Sequence, residues 1–450
     1  MAVTQSELRS NSEQSLLNLL NATLDHAVRN SPYYARLLRG ERIELRDLAE
    51  IRRFPILTRE TINEHRNDLL VRDVFPEYVR CTGGTTLGSE LRPPLLRFQT
   101  ERERAIWAAM HESMRSEFPG EWPLEMRLVS MEHGLDFPGA LRGVFPMPLE
   151  RPAHFSALTS LLHHEFTLPG FSRRIRWLSG SLTGIKPLTL MCMEQGFDGA
   201  ELGLEVVCVH GWNVTRRWQK LLQDFWNAPI GESYGLSEVP GLHAVRCGGC
   251  GHFHFSPFSM NEILELDSDK PVSEGFGRIV STSLYPLNQS QPLLRYDTED
   301  VIEVFPDCCA DTDRFGFEYF GRKTKMVRRK LAASDILCHP IMLSEVLGDL
   351  PDIAVRPHFR VAALELSTAF GWQKYKVTSD ETESPQKVCL EIELNWSPRS
   401  FPDSAKDFAR KIERALLDRS PSLRRAITAG DVKLMIQLCE PGSTNFVELV

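Results

Sequence analysis

Between residues 125 and 240, short β-rich runs alternate with stretches of helical periodicity. Arg127 to Met131 and Glu205 to Val209 read as strands, and Pro187 to Gln195 and Thr215 to Trp226 read as helices. This alternation constrains the chain more than any other feature. Parallel strands cannot be joined by a tight turn and need a crossover, for which a helix is the compact solution. The block therefore predicts a mainly parallel α/β sheet.

The flanks read differently. Leu16, Leu17, Leu19, Leu20, Leu24 and Ala27 recur at helical spacing within 14–40, until "NSPYY" breaks the pattern at Pro32. Within 44–70 there are short helical pieces, with Thr58 placed to cap one. "TERERAIWAAMHESM" predicts a helix over 100–114 capped by Thr100. Residues 260–305 read as short strands, "EILEL", "GRIVSTSL" and "DVIEVF", a β-rich subdomain. Residues 325–450 read as a small α+β unit. It has helices at "PIMLSEVLGDL" and "SAKDFARKIERALLDR", strands near 358–368 and 387–395, and a last strand "DVKLMIQL". The expected division is 1–321 and 322–450.

A chain of 450 residues is too long for one ordinary domain and long enough for a large core. It is 42% hydrophobic with a formal net charge of -8, and no block of lysine or arginine marks a nucleic-acid surface. Arg173 to Arg176 and Lys323 to Lys330 read as solvated faces or local anion contacts. No apolar run approaches the ~18 residues of a membrane span. The polar start "MAVTQSELRSNSEQ" lacks the apolar core of a secretion signal, so the expected location is cytoplasmic. In that compartment ten cysteines read as free, buried or metal-bound.

"RCTGGTTLGSELRPP" places Thr82, Gly83, Gly84, Thr85, Thr86 and Gly88 in one short run. Such a run can be only a turn. It can also be a nest of backbone N–H groups and hydroxyls that holds phosphate without a side-chain charge. Three further segments follow in order: "ESYGLSEVPG" at 232–241, "LLRYDTEDV" at 293–301 and "FGRKTKMV" at 320–327. With them the chain resembles the adenylate-forming superfamily of acyl-CoA synthetases, adenylation domains and luciferases. It looks most like the phenylacetate–CoA ligase branch, and "LLNATLDHAVRNSPYYARLL…LAEIRRFPILTRETI" extends the likeness over nearly the whole chain.

That resemblance implies a large N-terminal domain of layered α/β sheets and a small, mobile C-terminal α+β domain. It implies ATP and Mg²⁺ as cofactors, with CoA as a possible acceptor. Thr82, Gly83, Gly84, Thr85 and Thr86 would lie over the β- and γ-phosphates. Tyr234, beside Gly235, would stack on adenine, Ser237 would face the α-phosphate and Glu238 would hold Mg²⁺. Asp300 would accept the ribose hydroxyls, Arg322 would contact the nucleotide at the hinge, and Gly211 matches the adenine-side loop. The implied catalytic set is Thr85, Ser237, Glu238 and Arg322. Each residue alone also has a structural reading, Tyr234 as a core aromatic and Glu238 as a solvated helix residue.

The sequence departs from the family in several places. Leu87-Gly88 stands where the glycine loop usually continues Gly-Lys. "YDTED" replaces "YRTGD", so Asp297 and Glu299 add acid near a polyphosphate unless Mg²⁺ or an arginine offsets it. Thr324 stands at the usual acidic hinge. "CEPGSTNFVELV" has no lysine after Gly442, and Lys433 precedes the motif. A substitute cation from "KMVRRK" is one solution.

"CGGCGHFHF" carries Cys247 and Cys250 in a Cys-x-x-Cys-Gly knuckle, with His252 and His254 close by and Cys308-Cys309 further on. Structural zinc takes four Cys or His ligands in a tetrahedron. Five candidates, Cys247, Cys250, His254, Cys308 and Cys309, compete for four places. Two metal-free buried pairs are the alternative. Some relatives in the resembled branch look similar here, which supports zinc. Cys81, Cys192, Cys208, Cys338, Cys389 and Cys439 read as core residues.

The expected function is ATP-dependent activation of a small carboxylic acid to an acyl-adenylate, with transfer to CoA, an amine or a carrier protein. The acid is expected between the glycine loop, residues 131–165 and "GWN". His133, Phe137, Phe145, His154, Phe155, His163 and His164 there suit either an aromatic acid or core packing. The competing expectation is a nucleotide-binding relative with little catalysis. Neither nucleic acid nor membrane is an expected partner, and a homodimer is left open.

Overall fold

The computed structural model describes residues 13–41, 43–81, 95–115, 120–129, 141–211, 213–309, 315–330, 332–348, 350–357 and 371–444. Thr82 to Thr86, His133, Phe137, Trp212 and the expected strand near 358–368 lie outside them.

Two strands, β1 (Tyr78–Cys81) and β2 (Leu96–Gln99), form an antiparallel ribbon whose connection holds the glycine run. Next come β3 (Trp122–Val129), β4 (Val144–Pro148), β5 (Phe171–Ser181), β6 (Val206–His210) and β7 (Ile230–Gly235). All are parallel, in the order β4-β3-β5-β6-β7. At β7 the sheet changes sense. β8 (His243–Arg246), β9 (Phe253–Phe255), β10 (Ser259–Leu264), β11 (Gly275–Ser283), β12 (Tyr296–Phe305) and β13 (Gly316–Arg322) extend it antiparallel. The result is one sheet of 11 strands.

Two cores lie on this sheet. Under the parallel half, Leu124, Met126 and Leu128 of β3 pack with Ile175, Leu178 and Val207. The helices Pro152–His163, Leu182–Glu194 and Arg216–Trp226 close that core, and the Trp226 indole N–H donates to Thr189 Oγ1 at 3.0 Å. The helix expected from Pro187 starts at Leu182 and runs through the proline. Phe155 is buried in this core, Phe145 and Phe166 stack at 5.1 Å, and His163 Nδ1 meets the Thr159 carbonyl at 2.7 Å. Core packing therefore accounts for these aromatic residues, while His163 is exposed and bonded within its own helix.

The second core joins the antiparallel half to the N-terminal helix Glu13–Asn30 through Leu17, Leu20, Leu24 and Ala27. Pro32 ends that helix and starts the next, Pro32–Leu37. Two polar side chains direct this packing at the loop before β12. Thr23 Oγ1 accepts from the Tyr285 N–H at 2.9 Å. The buried Tyr34 hydroxyl donates to the Pro292 carbonyl at 3.1 Å and accepts from the Leu294 N–H at 3.0 Å. Arg295, 2% exposed, pairs with Glu262 at 2.8 Å and donates to the Phe54 carbonyl at 2.6 Å. Both expected caps form: Thr58 accepts from the Thr61 N–H, and Thr100 accepts from the Glu103 N–H at 3.0 Å. Glu103 in turn accepts from the Thr100, Gln289 and Ser290 N–H groups, so the cap also fastens the same loop.

The C-terminal part has a core of its own. β14 (Tyr375–Asp380), β15 (Gln386–Glu393) and β16 (Val432–Cys439) form a three-stranded sheet. The helices Pro340–Leu347, Pro402–Arg419 and Pro421–Thr428 join that core through Leu343, Ile412 and Leu423. Among the described residues no helix is long and apolar enough to cross a membrane.

The turn after β16 is clamped by one buried carboxylate. Glu393 accepts from the N–H groups of Gly442 and Thr444, both at 3.0 Å, and from Lys374 Nζ at 2.8 Å. Burial opposes its charge, but Lys374, the Thr444 hydroxyl and the two N–H groups outweigh burial and hold its pKa at about 2. A carboxyl depressed on folding stabilises above its unfolded value and loses that contribution as pH falls toward the folded one. The clamp should thus persist through pH 4 and open only near pH 2. Glu393→Gln should speed amide hydrogen exchange at Gly442 and Thr444 at neutral pH, and unchanged exchange there would exclude the clamp.

Candidate nucleotide and metal sites

β7 is the last parallel strand, and its C-terminal end carries Tyr234 and Gly235. The C-terminal ends of parallel strands, next to a change in strand order, are where ligands settle in open α/β sheets. β6 ends beside it at His210, and Gly211 follows with φ +78°. Extending the β6–β7 register sets Gly211 across from Tyr234, and a Cβ built at Gly211 meets nothing within 4 Å.

Asp300 sits on β12, 1% exposed. The Tyr234 hydroxyl donates to its Oδ2 at 2.7 Å, and the Tyr319 hydroxyl reaches its Oδ1 at 3.5 Å. Arg322 Nε lies 3.6 Å from Oδ1, and Arg322 is the direct register partner of Asp300. Burial pushes the Asp300 carboxyl up to about 6, against the pull of Arg322 and Tyr234. Burial also raises both phenols, which keeps them as donors. The Tyr234 and Tyr319 rings lie 5.4 Å apart, with Phe317 edge-on to Tyr234 at 6.0 Å.

A β-bulge makes this convergence possible. Asp300 pairs with Arg322 and Val301 with Gly321, but Ile302 pairs with Tyr319, which leaves Phe320 as the extra residue. Strict alternation would put Tyr319 and Arg322 on opposite faces. The extra residue turns both toward Asp300.

Ser237 and Glu238 follow β7 in the turn to β8, and Glu238 is 8% exposed. Gly241 closes that turn with φ +96°, where a Cβ would lie 2.1 Å from the Phe258 carbonyl oxygen. Only glycine fits there. Arg97 of β2 donates from Nη1 to the Ser237 carbonyl at 3.2 Å, which ties the ribbon to this turn. The charges of Glu238 and Arg322 both act on Asp300 and on the buried Tyr296, and Arg59 acts on Tyr296 as well.

The structure thus brings together Tyr234, Asp300 and Arg322, with Ser237, Glu238 and Gly211 around them. Tyr319 and Arg97 were not singled out from the sequence. Tyr319 is hidden by the bulge, and Arg97 by a contact between segments far apart in the chain. Of the added acids, Asp297 is offset by Arg278 at 3.3 Å. Within "KMVRRK", Arg328 pairs with Asp267 and Arg329 with Asp335 and Asp431, and Lys323 just before it also pairs with Asp267. Arg173 and Arg174 pair with Glu165, so that patch is local.

Near β8 and β9, one ligand atom each from Cys247, Cys250, His254 and Cys309 lies within 4.8 Å of the others. The two Sγ atoms of Cys247 and Cys309 are 3.9 Å apart. A tetrahedral ion with bonds of about 2.3 Å to sulfur requires such a spacing. The Gly249 and His252 N–H groups point at Cys247 and Cys250 Sγ at 3.4 and 3.5 Å. His254 Nδ1 meets the Phe315 carbonyl at 3.1 Å, which leaves Nε2, 3.1 Å from Cys250 Sγ, for the cluster. These residues fit a tetrahedral metal. Of the five candidates, Cys308 falls outside the group and instead approaches Gly316. Cys192 and Cys338 are buried as expected, while Cys208, Cys389 and Cys439 are only partly buried.

No protein-family model matches the sequence, and no curated protein matches it. Solved structures do. A 2-hydroxyisobutyryl-CoA ligase, in an open conformation with 2-HIB-AMP and CoA, superposes with TM-score 0.67 at 14% identity, covering 100% of this chain and 94% of that one. The GH3.15 acyl acid amido synthetase gives TM-score 0.59 at 15% identity, covering 97% and 88%. A benzoate CoA ligase from Burkholderia xenovorans LB400 gives 0.51 at 12%, covering 84% and 68%. At these identities the likeness speaks for architecture, and the chain has the fold of the adenylate-forming enzymes.

Proposed function

We propose that this chain activates a small carboxylic acid by ATP-dependent adenylation and passes the acyl group to a second nucleophile. One observation carries the reading: Tyr234, Tyr319, Asp300 and Arg322 converge at the C-terminal end of β7, beside the turn that holds Glu238. A buried carboxylate flanked by donor phenols and a guanidinium suits a ribose diol, and the aromatic pair suits a base. Tyr234 would take adenine, and Asp300, once released by its tyrosine, the ribose hydroxyls.

Catalysis needs little covalent chemistry from the protein. The acid is already ionised, so the chain must align it with the α-phosphate and stabilise the charge that develops. Ser237 would donate to the α-phosphate, with Thr85 and its neighbours over the outer phosphates. Arg322 would reach the nucleotide from the hinge side. Glu238 would hold Mg²⁺, which when bound neutralises phosphate charge. CoA and an amine both remain as acceptors, since solved structures of this fold include CoA ligases and an amido synthetase. We assign residues 322–450 as the mobile domain, supported by their separate core.

One feature favours a weaker catalyst. Lys374, the lysine beside the turn at Gly442, is held by Glu393. Nucleotide binding with little turnover is therefore the second reading.

We also assign zinc to Cys247, Cys250, His254 and Cys309. It would brace the turn between β8 and β9, which lie between β7 and β13 in the sheet.

Three measurements check these assignments. ATP–pyrophosphate exchange with a panel of acids should show turnover with at least one, and Glu238→Gln should lower it by at least a hundredfold. ATP binding with no exchange for any acid would leave the second reading. ATP affinity should rise with pH and level off above about 6, as the Asp300 carboxyl ionises. Asp300→Asn should weaken binding and flatten that profile, and a wild-type affinity flat from pH 5 to 8 would remove Asp300 from the ribose. Elemental analysis should find one zinc per chain, and Cys250→Ser should lower both zinc content and thermal stability. Less than about half an equivalent would refute the metal.

A further inference from the structure

Successive residues of a strand point to opposite faces of the sheet. At the end of β7, Tyr234 lies on one face, and Gly235 presents the other face without a side chain. β8 runs beside it, and His243 is the direct register partner of Gly235. Ala244 is buried in the core while Val245 is 48% exposed, so His243 and Val245 lie on the face turned away from that core. A Cβ built at Gly235 would lie 2.9 Å from the Leu242 carbonyl oxygen, which keeps the position bare, and 3.9 Å from His243 Cδ2. Cδ2 is the ring carbon bonded to Nε2, so that edge of the imidazole borders the space over Gly235. The other ring nitrogen, Nδ1, meets the Ser256 hydroxyl at 3.2 Å, and the Ser256 N–H donates to the His243 carbonyl at 2.8 Å. Nε2 has no hydrogen-bond partner among the described residues. Burial lowers the His243 pKa from its ordinary value, so the ring is neutral near pH 7.

We propose that His243 is a specificity residue of the acid subsite and that the acid this chain activates carries a hydroxyl group. The inference rests on the adenylation reading. In that reading the base lies on the Tyr234 face, which leaves the other face of the strand end for the second substrate. Both faces run into the turn that holds Ser237 and Glu238. A neutral imidazole suits a neutral polar group better than a second carboxylate. The Ser256 hydroxyl can donate to Nδ1 or accept from it, so Nε2 can take either role, and a hydroxyl answers both. An acid with hydrogen in place of the hydroxyl would leave the ring nitrogen unpaired, which is how a site built for a hydroxyl discriminates. A second observation points the same way. Just past β6, on the other flank of β7, Asn213 Nδ2 is buried with no hydrogen-bond partner. Buried polar groups are normally paired, so this edge of the sheet lacks polar partners on both sides of β7.

The test is pyrophosphate exchange by the full-length protein with matched acids: lactate and propionate, 3-hydroxybutyrate and butyrate, mandelate and phenylacetate, 4-hydroxybenzoate and benzoate. Wild type should favour the hydroxy member of at least one pair by roughly tenfold or more in kcat/KM. His243→Asn places a polar atom near Nδ1, within reach of Ser256, and removes Nε2. It should erase most of that preference by lowering activity toward the hydroxy acid, with its partner acid and the calorimetric affinity for Mg·ATP little changed. His243→Gln places a polar atom near Nε2 and should restore part of the preference. Wild type that favours the unsubstituted acid in every pair overturns the proposal. So does a folded His243→Asn that loses both members equally, loses Mg·ATP affinity instead, or keeps the wild-type preference. Should His243→Asn fail to melt cooperatively, His243→Phe decides by the same ratio. Should both fail, wild-type preference decides alone. Wild type that exchanges pyrophosphate with no acid defeats the adenylation reading, and calorimetric titration of the same pairs then judges His243. Hydroxy acids that bind wild type more tightly than His243→Asn support it, and equal or absent binding overturns it.

Discussion

A carboxylate at 1% exposure is tolerable only if its charge or its proton is accounted for on every side, and Asp300 is the point where this chain meets that demand. Tyr234 arrives from the parallel half of the sheet, and Tyr319 and Arg322 arrive from the antiparallel half. The two halves are therefore joined at this group by more than their shared strands. Withdrawing any one partner would leave a buried acid short of donors, so the sheet's change of sense and the candidate site are a single arrangement.

Much of the remaining structure serves the approach to β12. The N-terminal helix reaches the loop before β12 through Thr23, Tyr34 follows with a hydroxyl that both donates and accepts, and Glu103 collects N–H groups from the same loop. Arg295 is buried against Glu262 two strands away. Breaking one side of such a pair leaves an uncompensated charge, so the pair resists displacement even if its net contribution is small. The partners Thr23, Tyr34, Glu103 and Glu262 lie far from Asp300 in sequence and hold the loop that leads into its strand.

The parallel block, the capped helices and the separate C-terminal core were legible because each rests on local pattern. Apolar spacing, a Thr before a helix, or a strand–helix alternation needs no partner to be recognised. The knuckle was also legible in Cys247 and Cys250, because the two thiols are three residues apart. The choice among His254, Cys308 and Cys309 was not, since it depends on which backbone turns toward the first pair. The role of Tyr319 was invisible for a sharper reason. A one-residue bulge at Phe320 reverses the face on which it lies, and nothing in "FEYFGR" marks that bulge. The acids of "YDTED" looked unfavourable in one dimension. In three, Arg278 from the adjacent strand compensates Asp297.

Taken alone, the sequence determined the kinds of element, their order, and which residue types lie at the ends of the strands that form the site. Those properties follow from side-chain periodicity and backbone preference, which are set within a few residues. Tertiary structure decided which cations meet which partners. It sends Lys323, Arg328 and Arg329 to Asp267, Asp335 and Asp431, and brings Arg97 to Ser237 across 140 positions of chain. The physical reason is that a charge acts through space on whatever surrounds it, and only the folded backbone defines those surroundings.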